Sequence, residues 1–281
     1  MNLKILVCCH KDDIKAENEY YLPIHVGKKN SNQELNITGD NTGNNISDKN
    51  SSYCELTGMY WAWKNLKNLD YIGLCHYRRY FNFEGSYFSS PSKKVEIKQF
   101  NELQFNISDA VKSSLEKGNL IVPKSESLRL SLYTDYCIWH YSEDLRTLEK
   151  ILKNYGIKYS DAFNKIMYHN NELYPYNMFI MSWKEYDKYC TWLFDVLSEA
   201  ESQIDISQYN IYQKRIFGFM AERLFNIYIE ANNLNLDEHQ VLFITNDKHN
   251  TLPYPLYKIK KIINKFASRY VSPPQRLFVN K

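Results

Sequence analysis

The segment DYIGLCHYRRYF, residues 70–81, decides the fold of this chain. Its apolar run at 71–75 predicts a short buried β-strand, which leads directly into a polar cluster of His76, Tyr77, Arg78 and Arg79. Ligands of open α/β sheets bind just beyond the carboxyl ends of the strands. Because guanidinium groups are permanently charged and bind phosphate through paired hydrogen bonds, the segment predicts an anion site. Arginines that are only solvated or salt-bridged are the alternative interpretation.

The segments on either side of this motif predict further strands and helices. Apolar runs predict further strands at residues 4–9, 21–26, 120–122 and 175–183. Periodic apolar positions predict helices at residues 51–69, 109–117, 133–153, 184–199 and 213–231. Alternating strands and helices predict a mixed α/β sheet with helices on both faces, and Pro23 confines its strand to an edge or to the strand's start. Residues 27–50 predict a long loop and residues 83–101 an irregular insertion.

The composition narrows the class of protein. A net charge of +3 over 281 residues is too small for nucleic acid to be the main partner. The six cysteines lack paired CxxC spacing, which indicates reduced core thiols in a cytoplasmic protein and does not favour a zinc site. The 24 Tyr and 14 Phe suit a carbohydrate site, although a compositional bias of the genome explains them equally well. We expect neither a signal peptide nor a membrane-spanning segment.

Residues 251–281 form a separate basic tail in this interpretation. Within it, KIKKIINKFASRY at 258–270 places apolar residues at i, i+3, i+4, i+7, i+8 and i+11, with lysines and arginine between them. This pattern is typical of an amphipathic helix that lies on an anionic leaflet. A helix packed on the protein with a solvated basic face is the alternative.

Four segments together resemble a known bacterial family. They are DNTGNNISDKNSSYCELTGMYWAWKN at 40–65, the opening motif, YPYNMFIM at 174–181 and RIFGFMAERLFNIYI at 215–229. The family, long catalogued as a domain of unknown function, occurs in capsule, exopolysaccharide and O-antigen gene clusters. Its characterised members are glycosyltransferases, including galactofuranosyltransferases. The resemblance extends to about residue 245.

The resemblance implies a GT-A-like, nucleotide-sugar-binding domain over residues 1–250. It implies sugar transfer from a nucleotide-linked donor, with UDP favoured and UDP-galactofuranose a candidate, to a surface-polysaccharide acceptor. We expect a lipid-linked acceptor, inversion at the anomeric carbon and a cytoplasmic location, at the inner face of the plasma membrane if the tail binds lipid.

The donor site is expected around the opening motif. Many GT-A enzymes hold a divalent metal with Asp-x-Asp after a strand, and this chain has no such motif. We therefore expect metal-independent transfer, in which the cationic cluster at 76–79 neutralises the leaving diphosphate; Mn²⁺ or Mg²⁺ is the alternative. A loop with Asp40, Asn41 and Gly43 is expected to meet the ribose or base, or to be only a turn and cap. Asn177 is expected in a strand facing the donor sugar, or to tie backbone together.

The acceptor and the general base are expected on later helices. Glu222 is the candidate base for the acceptor hydroxyl, with Asp144 second, and a salt bridge within the helix is the structural alternative for Glu222. His140 and Asp144 are predicted on one helical face, where they contact the acceptor or form an ordinary surface pair. Arg215 is predicted on the same helix face as Glu222.

Two other classes of function remain open from the sequence. One is a non-catalytic carbohydrate- or nucleotide-binding module, which fits the aromatic content and the missing Asp-x-Asp. The other is a phosphotransferase that uses the arginines, although the chain has no Walker-type glycine-rich loop.

Overall fold

A computed structural model describes residues 1–247, 251–271 and 275–281. The strands, numbered in chain order, are β1 Leu3–Cys9, β2 Tyr21–His25, β3 Tyr71–His76, β4 Arg79–Asn82, β5 Ser92–Val95, β6 Leu120–Pro123, β7 Glu126–Ser127, β8 Glu172–Leu173, β9 Phe179–Ser182 and β10 Leu236–Ile244. The α-helices are α1 Asn50–Tyr53, α2 Leu56–Asn65, α3 Asp109–Glu116, α4 Leu132–Trp139, α5 Ser142–Asn154, α6 Ile157–Phe163, α7 Trp183–Gln203, α8 Ile216–Ala231 and α9 Tyr254–Tyr270.

The chain folds into two compact units, each built from several separate segments. Unit 1 comprises Met1–Lys124, Tyr176–Cys190 and Asn235–Pro253. Unit 2 comprises Ser125–Pro175, Thr191–Leu234 and Tyr254–Lys281. The expected division of the chain at residue 250 stays a prediction, and residues 248–250 and 272–274 of those two predicted parts lie outside the described residues.

Unit 1 is organised around an eight-stranded sheet. The main path runs β2-β1-β3-β4-β10-β6-β9, with β5 paired to β10 and a further β3–β9 pairing. β1 is parallel to both of its neighbours, whereas β4 and β9 are antiparallel to theirs. The prediction of a mixed α/β sheet flanked by helices is therefore confirmed, and β2 with Pro23 lies at an edge as expected.

The core of unit 1 follows from the apolar strands. Ile5 and Val7 of β1 are fully buried, as are Leu74 and Cys75 of the neighbouring β3. Strands buried on both faces carry nearly continuous apolar sequence, and this explains why these two strands were recognisable. Burial also raises the pKa of the Cys75 thiol, so it is held as the neutral thiol.

Several predicted boundaries are wrong, each for a tertiary reason. The helix expected at 51–69 is split at Cys54, whose positive φ of 52° ends α1, and the Asn50 side chain donates to the Cys54 carbonyl. The expected strand at 175–183 begins only at Phe179. Asn177 precedes it in a turn, with a φ of 53°, instead of lying in the strand. The expected insertion at 83–101 contains β5, and β4 and β10 were not anticipated.

Unit 2 is mainly helical, with a small two-stranded antiparallel sheet of β7 and β8. The helix expected at 133–153 is two helices, because His140 is extended and ends α4 before α5 begins. α9 begins four residues before the predicted amphipathic segment. No helix in the described part of the chain is long and apolar enough to cross a membrane.

Candidate functional site

The carboxyl ends of three parallel strands define one edge of the unit 1 sheet. Cys8 of β1 pairs with His76 of β3, and Cys9 pairs with His25 of β2, so all three strands end level with one another. β9 is antiparallel to β3, and its preceding turn therefore reaches the same edge. This is the position at which open α/β sheets bind ligands. The segment 70–81 delivers its polar cluster to this edge, as the sequence predicts.

The cluster itself is a tight hairpin. His76 ends β3 and pairs with Arg79, which begins the antiparallel β4, so Tyr77 and Arg78 form the turn between them. The Tyr77 amide donates to the carbonyl of Cys8 at 3.3 Å, which ties the turn to β1. The predicted junction between strand and polar cluster is thus a tight turn that brings four polar side chains together.

Arg78 is already paired with a carboxylate. Its Nε and Nη2 donate to Asp13 Oδ2 at 3.1 and 2.8 Å. Asp13 also accepts from the Ile14 amide at 2.9 Å, and Lys11 Nζ lies 3.8 Å from it. The sequence did not indicate this pairing, since the two partners lie 65 residues apart in the chain. Asp13 orients Arg78 and offsets its charge.

Arg79 is held by aromatic rings instead. Its Cζ lies 4.9 Å from the Tyr176 ring centroid and 5.3 Å from that of Phe243, its ladder partner in β10. Among the described residues no carboxylate lies within ion-pairing distance of Arg79, and its buried Nε has no hydrogen-bond partner. Aromatic faces stabilise a cation without neutralising it. Arg79 is therefore a positive charge available to a ligand.

His76 is bound to the turn that precedes β9. Its Nε2 donates to the Tyr176 carbonyl at 2.8 Å. Burial is the main cause that lowers the pKa of His76, and Arg79 lowers it further, while Glu55 raises it. Asn177, only 3% exposed, donates to Glu55 Oε1 at 2.8 Å. The structure thus brings His76, Asn177 and Glu55 together at the sheet edge.

Asp40 stabilises the long loop at residues 27–50 through hydrogen bonds to its buried carboxylate. It is fully buried and accepts from the amides of Gly27 at 2.8 Å and Lys28 at 3.1 Å, and from the Ser47 hydroxyl. A carboxylate with both oxygens engaged in this way fixes loop conformation. The predicted contact of Asp40 with a nucleotide stays a prediction.

Asn41 and Gly43 lie on the exposed part of the same loop. Gly43 has a φ of 54°, and the side chain of Asn65 accepts from the neighbouring Asn44 amide at 3.1 Å. The Trp61 indole donates to Thr42 Oγ1 at 2.8 Å. These bonds fasten the loop to α2.

In unit 2, the predicted acceptor residues His140 and Arg215 meet on one aromatic ring. His140 stacks on Phe219 at 4.1 Å between centroids, and the Arg215 guanidinium lies 5.3 Å from the same ring. His140 Nδ1 is 3.2 Å from Gln213 Oε1. Burial, followed by the charge of Arg223, lowers the pKa of His140 to about 4. His140 is accordingly neutral at pH 7.

Glu222, the predicted base, is bonded to its neighbour Arg223 at 2.5 Å. Arg223 is 6% exposed and its Nη2 lies 3.5 Å from Asp135. Burial is the main cause that raises the pKa of Asp135. The buried Arg223 Nε and Tyr136 hydroxyl have no partner among the described residues. The Glu222–Arg223 pair is the salt bridge within the helix that the sequence offered as the alternative for Glu222, whereas the contact of Arg223 with Asp135 was not anticipated.

Asp144 lies in different surroundings. It is 1% exposed and accepts from the Tyr209 hydroxyl at 2.7 and 2.8 Å, with Lys281 Nζ at 2.8 Å. The expected shared helical face of His140 and Asp144 is wrong, because the chain is extended at His140 and a new helix begins at Ser142. Burial is the main cause that raises the pKa of Asp144.

Within residues 1–247, 251–271 and 275–281, no three His, Cys, Asp or Glu side chains are placed to hold an ion together. The sheet edge offers a fixed cation, Arg79, beside the His76 imidazole and the rings of Tyr176 and Phe243.

Comparison with known proteins identifies the family. A family model described as a domain of unknown function, DUF4422, matches residues 4–233. The chain belongs to the DUF4422 family. This confirms the resemblance to a family catalogued as a domain of unknown function, while its link to capsule and exopolysaccharide clusters stays a prediction.

A solved structure is similar to this DUF4422 chain over most of its length. It is the apo form of WbbM, a bifunctional glycosyltransferase, with 32% sequence identity and a TM-score of 0.80. The similarity covers 88% of this chain and 46% of the WbbM chain, so the DUF4422 chain spans about half the length of that structure. A search of curated proteins gave no match.

Proposed function

We propose that this DUF4422 protein is a glycosyltransferase of GT-A-like architecture, which moves a sugar from a nucleotide-linked donor to a glycan acceptor. Its similarity to a bifunctional glycosyltransferase, at 32% identity over 88% of the chain, supports this reaction class. UDP is the favoured nucleotide and UDP-galactofuranose is the first donor to test. The transferred sugar in this proposal is a hexosyl group, and transfer inverts the configuration at its anomeric carbon.

The observation that carries the proposal is the uncommitted charge of Arg79. Glycosyl transfer releases a nucleoside diphosphate, and its departure is accelerated by fixed positive charge placed where negative charge develops. Arg79 offers that charge at the edge of the sheet where the parallel strands end, against the rings of Tyr176 and Phe243. Arg78, which is paired with Asp13, lies next to Arg79 in the same turn. Tyr77 and His76 are the other polar residues of that turn.

In this proposal the diphosphate is stabilised by the protein, without a bound divalent metal. The support is the cationic hairpin at the strand end where other GT-A enzymes carry Asp-x-Asp. Turnover measured after EDTA treatment tests it directly. Retention of activity supports the proposal, whereas complete loss that Mn²⁺ or Mg²⁺ restores would assign the diphosphate to a metal.

Unit 2 supplies the proposed acceptor and base residues. His140 and Arg215 share the Phe219 ring and are proposed to contact the acceptor sugar. Glu222 is the proposed base that removes the acceptor hydroxyl proton, because an inverting transfer needs a carboxylate at that step. Asp144 is the second candidate. A lipid-linked surface-polysaccharide precursor is the proposed acceptor, which would place the enzyme in the cytoplasm at the inner leaflet.

A nucleotide-release assay with a panel of nucleotide sugars tests the function. We expect release of UDP from one donor, increased by a matching acceptor, and loss of that release in Arg79→Gln. Thermal stabilisation by UDP with no turnover on any donor and acceptor pair would instead favour the non-catalytic binding module. Exposed Lys67→Gln, in unit 1, removes one positive charge away from the hairpin and serves as the matched control.

A further inference from the structure

Helix α9 carries its apolar face outward. Ile259, Ile262, Ile263, Phe266 and Tyr270 follow one another at i, i+3, i+4, i+7 and i+11 and so lie on one face of the helix. These side chains are 54 to 71% exposed. A helix of a soluble domain normally turns such a face toward the core. In α9 the apolar face points to solvent instead.

The opposite face of α9 attaches the helix to unit 2 through polar contacts. The Asn264 amide donates to the Ser127 carbonyl at 2.8 Å, and the Tyr257 hydroxyl donates to the Ser125 carbonyl at 3.0 Å. Lys261 pairs with Glu172 at 2.8 Å. Tyr257, Lys261 and Asn264 recur at i, i+4 and i+7, which places them on the side away from the apolar residues. Polar contacts thus fix the helix in place, and its apolar face is exposed among the residues that the structure describes.

Positive charge borders the apolar face on both sides. At 100° per residue, Lys258, Lys265 and Arg269 follow one flank and Lys260 lies on the other. None of these four makes an ion pair with a described residue, and α9 contains no acidic residue. A second copy of the chain would bring like charges together along both flanks, which disfavours self-association. An anionic lipid surface satisfies both the apolar face and the charges.

We infer that α9 is a membrane-docking helix that lies in the plane of an anionic leaflet. Ile262 and Phe266 enter the boundary between headgroups and acyl chains, and the basic flanks meet lipid phosphates. The helix is already folded and attached to unit 2, so docking requires no coupled folding of α9. Lipid binding does not depend on the proposed glycosyl transfer, and the two proposals can fail separately.

Vesicle flotation of the full chain tests this inference. We expect binding to vesicles of phosphatidylcholine with phosphatidylglycerol, and much weaker binding to phosphatidylcholine alone. The double variant Ile262→Ser and Phe266→Ser should lose binding to both. Exposed Ile157→Ser, at 77% exposure on another helix of unit 2, is the matched control and should bind like the wild type.

The basic flank is tested by neutralising Lys258, Lys265 and Arg269 together with glutamine. Each basic residue near an anionic surface strengthens binding about fivefold, so the triple variant should bind on the order of a hundredfold more weakly. The matched control replaces three exposed lysines, Lys67, Lys117 and Lys150, with glutamine. It changes the net charge by the same amount and should have only a small effect on vesicle binding.

Two results would overturn the inference. One is binding that survives the Ile262→Ser and Phe266→Ser changes. The other is a wild-type dimer by light scattering that those changes convert to a monomer, with no vesicle binding by either, since the face would then be a protein interface. Nucleotide release on a water-soluble acceptor should be unchanged in the α9 variants, which separates this test from that of the enzyme activity.

Discussion

Arg78 directs two donors, Nε and Nη2, to the same Asp13 oxygen, at 3.1 and 2.8 Å. The adjacent Arg79 has no such partner in the described part of the chain and lies against Tyr176 and Phe243 instead. Two consecutive arginines therefore have different electrostatic roles. One is offset by a carboxylate, and the other keeps its charge for a ligand.

The first prediction compares these two arginines. Arg79→Gln removes a charge-assisted contact with the diphosphate, each of which contributes about 1.5–3 kcal/mol, so UDP should bind roughly 10- to 150-fold more weakly. Arg78→Gln should have a smaller effect, because Asp13 already offsets its charge. Calorimetric titration with UDP measures both. Equal losses in the two variants would contradict the different roles.

The second prediction concerns the base. Glu222→Gln keeps the size of the side chain and removes the proton acceptor, so kcat should fall by about 10²–10⁴-fold with little change in donor binding. Glu230→Gln is the matched control, since Glu230 lies on the same helix and is also ion-paired, with Lys165 at 2.5 Å. A near-normal rate in Glu222→Gln with a native circular dichroism spectrum would shift the assignment to Asp144.

The third prediction is a pH dependence of stability caused by His140. Its pKa is about 4 in the folded protein and 6.5 ordinarily, so between these values the unfolded chain binds a proton that the folded chain does not. The His140 contribution to stability should thus be constant above about pH 6.5 and fall with decreasing pH, by about 3 kcal/mol at pH 4.

His140→Phe isolates this contribution. Asp135 and Asp144 have raised pKa values and act in the opposite direction, so the difference between wild type and variant is the relevant quantity. Urea denaturation at several pH values should show that difference shrinking between pH 6.5 and 4. A difference independent of pH would contradict a buried, neutral His140.

The fourth prediction concerns the loop at Gly43. A Cβ there would lie 2.0 Å from Asn65 Oδ1, and the φ of 54° is unfavourable for other residues. Gly43→Ala should therefore destabilise the fold by about 3 kcal/mol, from backbone strain and the displaced Asn65. Gly118 has a φ of 84° but open space around it. Gly118→Ala should therefore lower the free energy of unfolding by only about 1–2 kcal/mol. Similar losses would show that Asn65 moves freely.

The sequence predicted the strands best where burial on both faces makes them continuously apolar. β1 and β3 were recognisable for that reason. β10 was not, since its sequence LDEHQVLFI begins with charged residues, although these residues pair with β6 inside the sheet. The break at Cys54 depends on a side-chain bond from Asn50, and the break at His140 accompanies stacking on Phe219. No local periodicity encodes either contact.

The polar cluster at residues 76–79 was predictable as a group, while its partners were not. Asp13 and Tyr176 lie 65 and 100 residues from the arginine and histidine that they contact. Such pairings are set by strand order, which a single sequence does not reveal. The distinction between a paired Arg78 and an available Arg79 therefore required the structure.

The bond between His76 and the Tyr176 carbonyl fixes a tautomer. A carbonyl only accepts, so Nε2 carries the proton and, in the neutral ring, Nδ1 bears a lone pair. A lone pair repels phosphate oxygens and attracts hydroxyl hydrogens. We therefore propose that His76 accepts a hydrogen bond from a ribose or sugar hydroxyl, and that the phosphate charge is recognised by the neighbouring Arg79.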